Sequence, residues 1–240
     1  MNLASEYMGP QKSEFRWRDL SLLIHGPVID HITGIFKSDW KFARKAELGY
    51  CSTTSQAQKQ GPNGVTQLVA SGPDVRNDSF RNAILTAIFR ANRRILVVTP
   101  YFVPDDLVLE AMCIAVYRNV DVSIITPRKS NHRLADLVRE GYLTRVQEAG
   151  AKVWFYEPRM LHAKAILVDD TVAIIGSANM DMRSLLLNYE VAMCLYDSEV
   201  INQIEAWIQE LMADCSMRKQ RQRSSFGLIE GVGRLFAPLL

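Results

Sequence analysis

Hydrophobic and polar positions change their period several times along the chain, and each change predicts an element. Short apolar runs predict four strands, at 65–70, 94–99, 120–126 and 152–156. Between them, apolar residues recur at helical spacing and predict three helices, at 79–92, 105–118 and 133–149. Strands that alternate with helices favour an α/β domain with a mixed, mostly parallel sheet.

The pattern changes again after residue 160. Two apolar strands at 162–168 and 171–175 are separated by Asp169-Asp170, which predicts a tight hairpin. A further strand is predicted at 189–195, followed by a helix with an apolar face from Val200 to Leu211. We therefore expect an antiparallel addition to the alternating α/β region.

The N-terminal region is too short to form its own core. Leu20, Leu22 and Ile24 alternate with other residues and predict a strand that ends at Gly26-Pro27, and a helical pattern begins at Val28. One strand and one helix cannot bury each other, so residues 1–48 are interpreted as the end of a larger unit. We expect a polar linker at 49–64, the main domain at 65–217 and a basic and apolar tail at 218–240.

Composition excludes several classes of protein. The formal net charge of the 240 residues is +2, so no nucleic-acid partner is expected from overall charge. The four cysteines are widely spaced, with no C-x-x-C pair, and predict free thiols rather than a disulfide framework or a zinc site. No apolar run approaches the length of about 18 residues that a membrane span requires.

The stretch "LHAKAILVDD" carries the strongest chemical signal. On a strand, His162 and Lys164 share one face, because side chains alternate. Lysine is a poor metal ligand, whereas an ammonium beside an imidazole suits an anion and nucleophilic or acid–base chemistry. Neither a metal nor a cofactor is expected. Asp169, at the turn, is expected to have a structural role, by pairing with a cation or bonding turn amides.

Polar residues on the two following strands extend this site. Ser177 and Asn179 follow Gly176, which permits close approach of the backbone to a ligand. Glu190 is expected to hold the far ring nitrogen of His162 and so fix its tautomer.

This combination of residues resembles the signature of the phospholipase D superfamily. The matching positions are His162, Lys164, Asp169, Gly176, Ser177 and Asn179. The resemblance implies an α-β-α sandwich and a catalytic set of His162, Lys164 and Asp169, with Ser177 and Asn179 on the substrate phosphate. It also implies a phosphohistidine intermediate and two copies of the motif that meet at one phosphodiester, without a metal.

Further stretches narrow the resemblance to the bacterial cardiolipin synthases. They are "ASGPD", "TPYFVPDD", "VDVSIITPRK", "NMDMRSLLLNYE" and "RLFAPLL". The family implies transfer of a phosphatidyl group from one phosphatidylglycerol to another, with release of glycerol. The expected partners are this anionic phospholipid and the surface of the bacterial cytoplasmic membrane, to which the basic tail is suited as a peripheral contact.

The sequence departs from the family in one respect that matters for catalysis. "NLASEYM" resembles the segment immediately after the first motif, with Asn2 in the place of its asparagine, but the first motif and the family's N-terminal membrane anchor are missing. The chain is thus expected to be truncated before or within its first repeat. Three hypotheses are open: a phosphatidyltransferase completed by a missing N-terminal half or by dimerisation, a homodimeric phosphodiesterase or nuclease, and an inactive lipid-binding fragment.

Overall fold

A mixed β-sheet forms the centre of the domain. The computed structural model describes residues 4–8, 16–44, 64–75 and 77–219. Within these residues the main sheet has the strand order β1-β9-β7-β6-β2-β4-β5-β10, and β3 and β8 form a separate pair. The strands are β1 Thr66–Ser71, β2 Arg94–Val98, β3 Phe102–Val103, β4 Asp121–Pro127, β5 Lys152–Tyr156, β6 Ala165–Val168, β7 Val172–Gly176, β8 Met180–Asp181, β9 Glu190–Leu195 and β10 Cys215–Met217.

Helices cover both faces of this sheet, which confirms the predicted α-β-α sandwich. The helices are α1 Val28–Arg44, α2 Ser79–Arg90, α3 Asp106–Tyr117, α4 Arg133–Ala149, α5 Met182–Leu186 and α6 Ser198–Ala213. Ile95 and Val97 of β2 lie in the core beneath α2, α3 and α4, whereas Leu96 and Val98 lie in the core beneath α6. Because alternate residues enter opposite cores, β2 appears in the sequence as one uninterrupted apolar run.

The prediction that the sheet is mostly parallel is wrong. Among the described strands, β2, β4 and β5 pair in parallel, and the other five neighbouring pairs of the main sheet are antiparallel. Crossover helices α3 and α4 impose the parallel direction, since a chain must return before it can form a parallel neighbour. The short turn between β6 and β7 imposes the antiparallel one.

The N-terminal segment differs from its prediction in a related way. Leu20, Leu22 and Ile24 are half-buried against the core beneath α6, and Ser21 and Leu23 are exposed, so the predicted alternation is present. These residues nevertheless form no strand. Among the described residues of this segment, only Arg18 forms an isolated β-bridge, and its partner is Leu161. The alternation reflected burial against side chains, without a hydrogen-bonded neighbour.

The end of the described chain alters the interpretation of the basic tail. The side chain of Arg218 is buried, and its guanidinium lies 2.9 Å from a carboxylate oxygen of Glu140 and 2.9 Å from the hydroxyl of Thr144. Arg218 is therefore not available to a membrane, as its place in the predicted tail suggested. The rest of that tail from residue 220, the linker apart from Gly64, and Asn2 lie outside the described residues.

Candidate active site

The predicted histidine lies at the edge of the sheet where the parallel strands β2, β4 and β5 end. Val98, the last residue of β2, pairs with Ala165, the first residue of β6, and His162 comes shortly before that pair. The backbone N–H of His162 donates to the carbonyl of Arg18 at 2.7 Å, and the N–H of Arg18 donates to the carbonyl of Met160 at 2.8 Å. The N-terminal segment thus holds the backbone of the histidine in place.

Three side chains of that segment also surround the imidazole. The Tyr7 hydroxyl lies 3.0 Å from Nδ1 of His162, and a carboxylate oxygen of Asp19 lies 3.6 Å from the same nitrogen. The rings of Tyr7 and Trp17 each stand 5.3 Å from the imidazole, measured between centroids. Nδ1 is therefore directed at Asp19 and Tyr7, which leaves Nε2 as the nitrogen available for chemistry.

Asp19 occupies the place that we expected Glu190 to fill. Burial by itself raises the pKa of Asp19, but the contact with His162, the Leu20 N–H and the charge of Lys164 together hold this pKa below its ordinary value. Asp19 is consequently an anion that can orient a ring N–H. No local sequence signal pointed to Asp19, because it is distant from His162 in the chain.

Lys164 lies against the histidine, but the strand from residue 162 on which we predicted this contact is absent. Its ammonium nitrogen is 2.8 Å and 2.9 Å from the two ring nitrogens of His162 and donates to the His162 carbonyl at 2.6 Å. Burial lowers the pKa of Lys164 to about 8, against the opposing charges of Asp19, Glu190 and Asp181. The strand itself begins only at Ala165, so the contact depends on the turn of the chain before β6 rather than on strand alternation.

This pKa predicts how anion binding depends on pH. Lys164 is protonated below about pH 8 and loses its charge above it. We expect KM for an anionic phosphodiester to rise about fivefold between pH 8 and pH 9, as the protonated fraction falls. In Lys164→Arg the guanidinium stays charged, and this rise should disappear in steady-state assays across pH 7–9.5. A rise of equal size in both proteins would assign it to another group.

The polar residues after β7 form a second group at the same edge. The hydroxyl of Ser177 donates to Glu190 and accepts the Val191 N–H at 3.0 Å, while the side-chain amide of Asn188 donates to Glu190 at 3.4 Å. The buried carboxylate of Asp181 accepts a hydrogen bond from Asn179. Of the expected site residues, His162 and Lys164 meet directly, whereas Glu190 contacts Ser177 and reaches Lys164 only through its charge.

Gly176 has a structural explanation in the sheet. A Cβ at this position would lie 2.4 Å from the Val191 carbonyl oxygen and 2.7 Å from Cα of Ala192. The close approach that this glycine permits is therefore to the backbone of β9, where we had expected a ligand. It allows β7 and β9 to bring Ser177 and Glu190 together.

Asp169 lies at the opposite edge of the sheet and stabilises the fold there. Its carboxylate is buried and accepts the backbone N–H groups of Asn92, Arg93 and Arg94, each at 2.9 Å. Burial raises the pKa of Asp169, but these three donors outweigh it and lower the pKa overall. Its bonds to amides before β2 are consistent with the expected structural role and keep it away from His162.

The arrangement is suited to chemistry at an anionic phosphorus centre. One imidazole is oriented by a carboxylate and a phenol, and an ammonium stands beside its reactive nitrogen. Among the described residues no three His, Cys, Asp or Glu side chains cluster as a metal site. Each helix in the described part of the chain is too short or too polar to cross a bilayer.

Comparisons with known proteins give matches to one protein family. A family model described as "Cardiolipin synthase, PLD-like domain" matches residues 84–212. Cardiolipin synthase 1 of Bacillus cereus is 34% identical over the whole chain, and the cardiolipin synthase of Geobacillus kaustophilus is 36% identical. The chain spans about half the length of these relatives, 49% in both cases.

Solved structures show the same fold at low sequence identity. The phospholipase D family member Nuc from Salmonella typhimurium is 20% identical with a TM-score of 0.57, over 65% of this chain and 99% of Nuc. The phosphatidylserine synthase of Haemophilus influenzae is 15% identical with a TM-score of 0.57, over 90% of this chain and 54% of the synthase. The sandwich described above is therefore a known architecture.

Proposed function

Because this chain belongs to the family of cardiolipin synthases with a phospholipase D-like domain, we propose that it supplies one half of a phosphatidyltransferase site. The reaction transfers the phosphatidyl group of one phosphatidylglycerol to the glycerol hydroxyl of another and releases glycerol. The observation that carries the proposal is the grouping of His162, Lys164 and Asp19 at one edge of the sheet. These residues supply a reactive nitrogen, a cation for the phosphate and an anion that orients the ring.

The proposed chemistry is balanced with respect to protons and bonds. A histidine nitrogen attacks phosphorus, the bond from phosphorus to the departing glycerol oxygen breaks, and an acid protonates that oxygen. The acceptor hydroxyl then attacks phosphorus, its proton passes to the group that acted as acid, and the histidine leaves. Nε2 of His162 suits either the nucleophile or the acid, since Nδ1 is directed at Asp19 and Tyr7.

Both assignments require a second imidazole. We place it in a first repeat whose C-terminal part is residues 1–48, joined by the linker 49–64 to the second repeat 65–217 and the tail 218–240. In support, α1 contains no buried residue, and Phe36 on this helix is 55% exposed. A helix with such a pattern normally packs on a sheet, and a missing first repeat or a second copy of this chain would provide one.

A homodimeric phosphodiesterase or nuclease is the second candidate. In its favour, the fold aligns with nearly all of Nuc. Against it, Tyr7, Trp17 and Asp19 already lie against His162, where a second copy would have to approach. The third candidate is an inactive lipid-binding fragment, which is the expected outcome if no second imidazole completes the site.

One assay separates the three candidates. The purified chain is incubated over a range of concentrations with phosphatidylglycerol vesicles or with DNA, and cardiolipin, glycerol and cleaved DNA are measured. Because the proposal places the second imidazole in a first repeat, we expect cardiolipin and glycerol in equal amounts once a first repeat is supplied. The chain by itself is expected to form them only if two copies complete the site, and the rate then rises more steeply than protein concentration. Cleaved DNA without cardiolipin would support the nuclease. No product at any concentration would refute activity of this chain by itself.

Asp19 provides a test of how His162 is oriented. We expect Asp19→Asn to lower kcat by about 10- to 100-fold, the usual effect of losing a group that orients a catalytic imidazole. Loss of the carboxylate also lowers the pKa of Lys164 further, so the rise of KM with pH should begin below pH 8. Asp19→Glu should recover part of kcat. Asp30→Asn, in the exposed first turn of α1, is the control, and a kcat loss as large in this variant would contradict the role of Asp19.

A further inference from the structure

The start of α4 and the loop before it present apolar and basic side chains to solvent. Leu134 is 47% exposed and Leu137 is 52% exposed, and both lie in the first turns of the helix. Lys129 and Arg133 are exposed in the same short segment. These four residues are called the leucine–cation surface. Leu134 and Leu137 are three residues apart and so lie on one side of the helix, where together with the two cations they form a small amphipathic surface.

The acidic groups nearby do not neutralise these cations. Asp136 accepts the Ser130 N–H at 2.9 Å and lies 3.2 Å from the buried guanidinium of Arg139. Within the described part of the chain, neither Lys129 nor Arg133 forms an ion pair with a carboxylate. The leucine–cation surface therefore carries a net positive charge.

The leucine–cation surface lies beside the candidate active site. Asn131 accepts a hydrogen bond from the hydroxyl of Tyr101, and the ring of His132 stands 5.8 Å from the Tyr101 ring between centroids. Burial raises the pKa of Tyr101 to about 12, and the charge of Tyr7 contributes in the same direction. Because Tyr7 contacts His162, the loop joins the surface to the rim of the site through Tyr101. Phe102, the next residue along the chain, is fully buried and does not extend this surface.

We propose that the leucine–cation surface docks the domain onto an anionic lipid bilayer, with Leu134 and Leu137 inserted among the acyl chains and Lys129 and Arg133 at the headgroups. This inference rests on the proposed function, since it takes the lipid substrate to be in the membrane at which the site opens. Charge complementarity selects the bilayer: cations beside exposed leucines match an anionic headgroup layer above hydrocarbon. Docking there brings the edge of the sheet that carries His162 to the headgroup layer, where the phosphodiester of the substrate lies.

The test measures binding of the whole chain to vesicles, independently of catalysis. Sedimentation with phosphatidylglycerol vesicles is compared between the parent chain and the double variants Leu134→Ser/Leu137→Ser and Lys129→Gln/Arg133→Gln. We expect the leucine variant to bind about tenfold or more weakly, because two half-exposed leucines lose their burial. Each cation removed should weaken binding about fivefold at low salt, and neutral phosphatidylcholine vesicles should bind the parent chain much less.

A matched control lies at the opposite edge of the sheet. Phe89 is 48% exposed and Arg90 is exposed at the end of α2, so Phe89→Ser/Arg90→Gln removes similar groups from the far side and should leave binding unchanged. As a second measurement, Leu137→Trp should show a blue-shifted emission with vesicles, whereas Phe89→Trp should not. Equal binding by the leucine variant and the parent chain, or an unshifted Leu137→Trp, would overturn the proposal. Light scattering that shows a dimer lost in the leucine variant would assign the surface to a second copy instead.

The outcome is distinguishable from failure of the proposed function. Vesicle binding is measured in His162→Ala, which has no catalytic nitrogen at this position but retains the leucine–cation surface. Binding of this variant that depends on Leu134 and Leu137, together with no phosphatidyl transfer by the parent chain, would sustain the docking surface and reject activity of this chain by itself. Phosphatidyl transfer by the parent chain, with vesicle binding that does not depend on Leu134 and Leu137, would support the proposed function and reject the docking surface.

Discussion

Replacing His162 with alanine is expected to lower the rate of cardiolipin formation by about 10⁴-fold, the upper end of the contribution of a positioned acid or base. The reason is geometric as well as chemical. Lys164 contacts both ring nitrogens, and Asp19 and Tyr7 are directed at Nδ1, so all three lose their common partner when the imidazole is removed. Because residues that act on one group are not additive, Lys164→Ala in this background should cause little further loss.

The measurement is the initial rate with labelled phosphatidylglycerol, together with the label retained on quenched protein. If His162 is the nucleophile, the parent chain retains label through an acid-labile bond and His162→Ala does not. If His162 is the acid, the variant retains the label longer once it has formed. His25→Ala, which removes an exposed imidazole before α1, serves as the control. A rate in His162→Ala within tenfold of the parent would reject His162 as a catalytic residue.

Replacing Asp169 with alanine is expected to lower the free energy of unfolding by about 3 kcal/mol, chiefly because three backbone N–H groups lose a charged acceptor. Asp169 also has a φ of 50°, which aspartate tolerates better than alanine does. Asp170 in the same turn is the control: it pairs at the surface with Arg93 and Arg94, so Asp170→Ala should destabilise the fold far less than Asp169→Ala does. Denaturant unfolding measures both.

The effect of Asp169 should also depend on pH. Its folded-state pKa is lowered relative to the unfolded chain, so the stability it contributes is present above the ordinary pKa and is lost as pH falls through the folded value. Asp169→Asn keeps the tolerated backbone geometry but removes the charge. The difference in stability between this variant and the parent should therefore shrink below about pH 4. A difference that is constant between pH 3 and pH 7 would show that the charge is irrelevant.

Most helices and strands of the domain could be predicted because their periodicity reflects burial, and burial is determined locally by side-chain type. Helix α4 has the bounds that the pattern predicted, and β5 does too. The direction of the strands could not be inferred, because a strand buried on both faces has the same apolar pattern in parallel and antiparallel sheets. The strand β10, three residues long, has no periodicity to detect.

The candidate site shows the same division. His162 and Lys164 are two residues apart, so their contact depends on local geometry and could be predicted. The carboxylate beside His162 could not, because Asp19 is distant in the sequence and the choice between it and Glu190 depends on how the N-terminal segment crosses the sheet edge. The role of Gly176 was misjudged for the same reason, since the neighbour it admits belongs to β9.

By itself, the sequence determined the chemical character of the site and the kind of fold that holds it. The pair of His162 and Lys164, the polar residues after β7 and the alternation of strands and helices are all properties of residue types and their spacing. Only the tertiary structure decided which carboxylate orients the imidazole, which backbone amides Asp169 binds, and that Leu134 and Leu137 remain exposed beside the site. Those are contacts between segments far apart in the chain, and they depend on strand order and packing, which spacing along one segment does not specify.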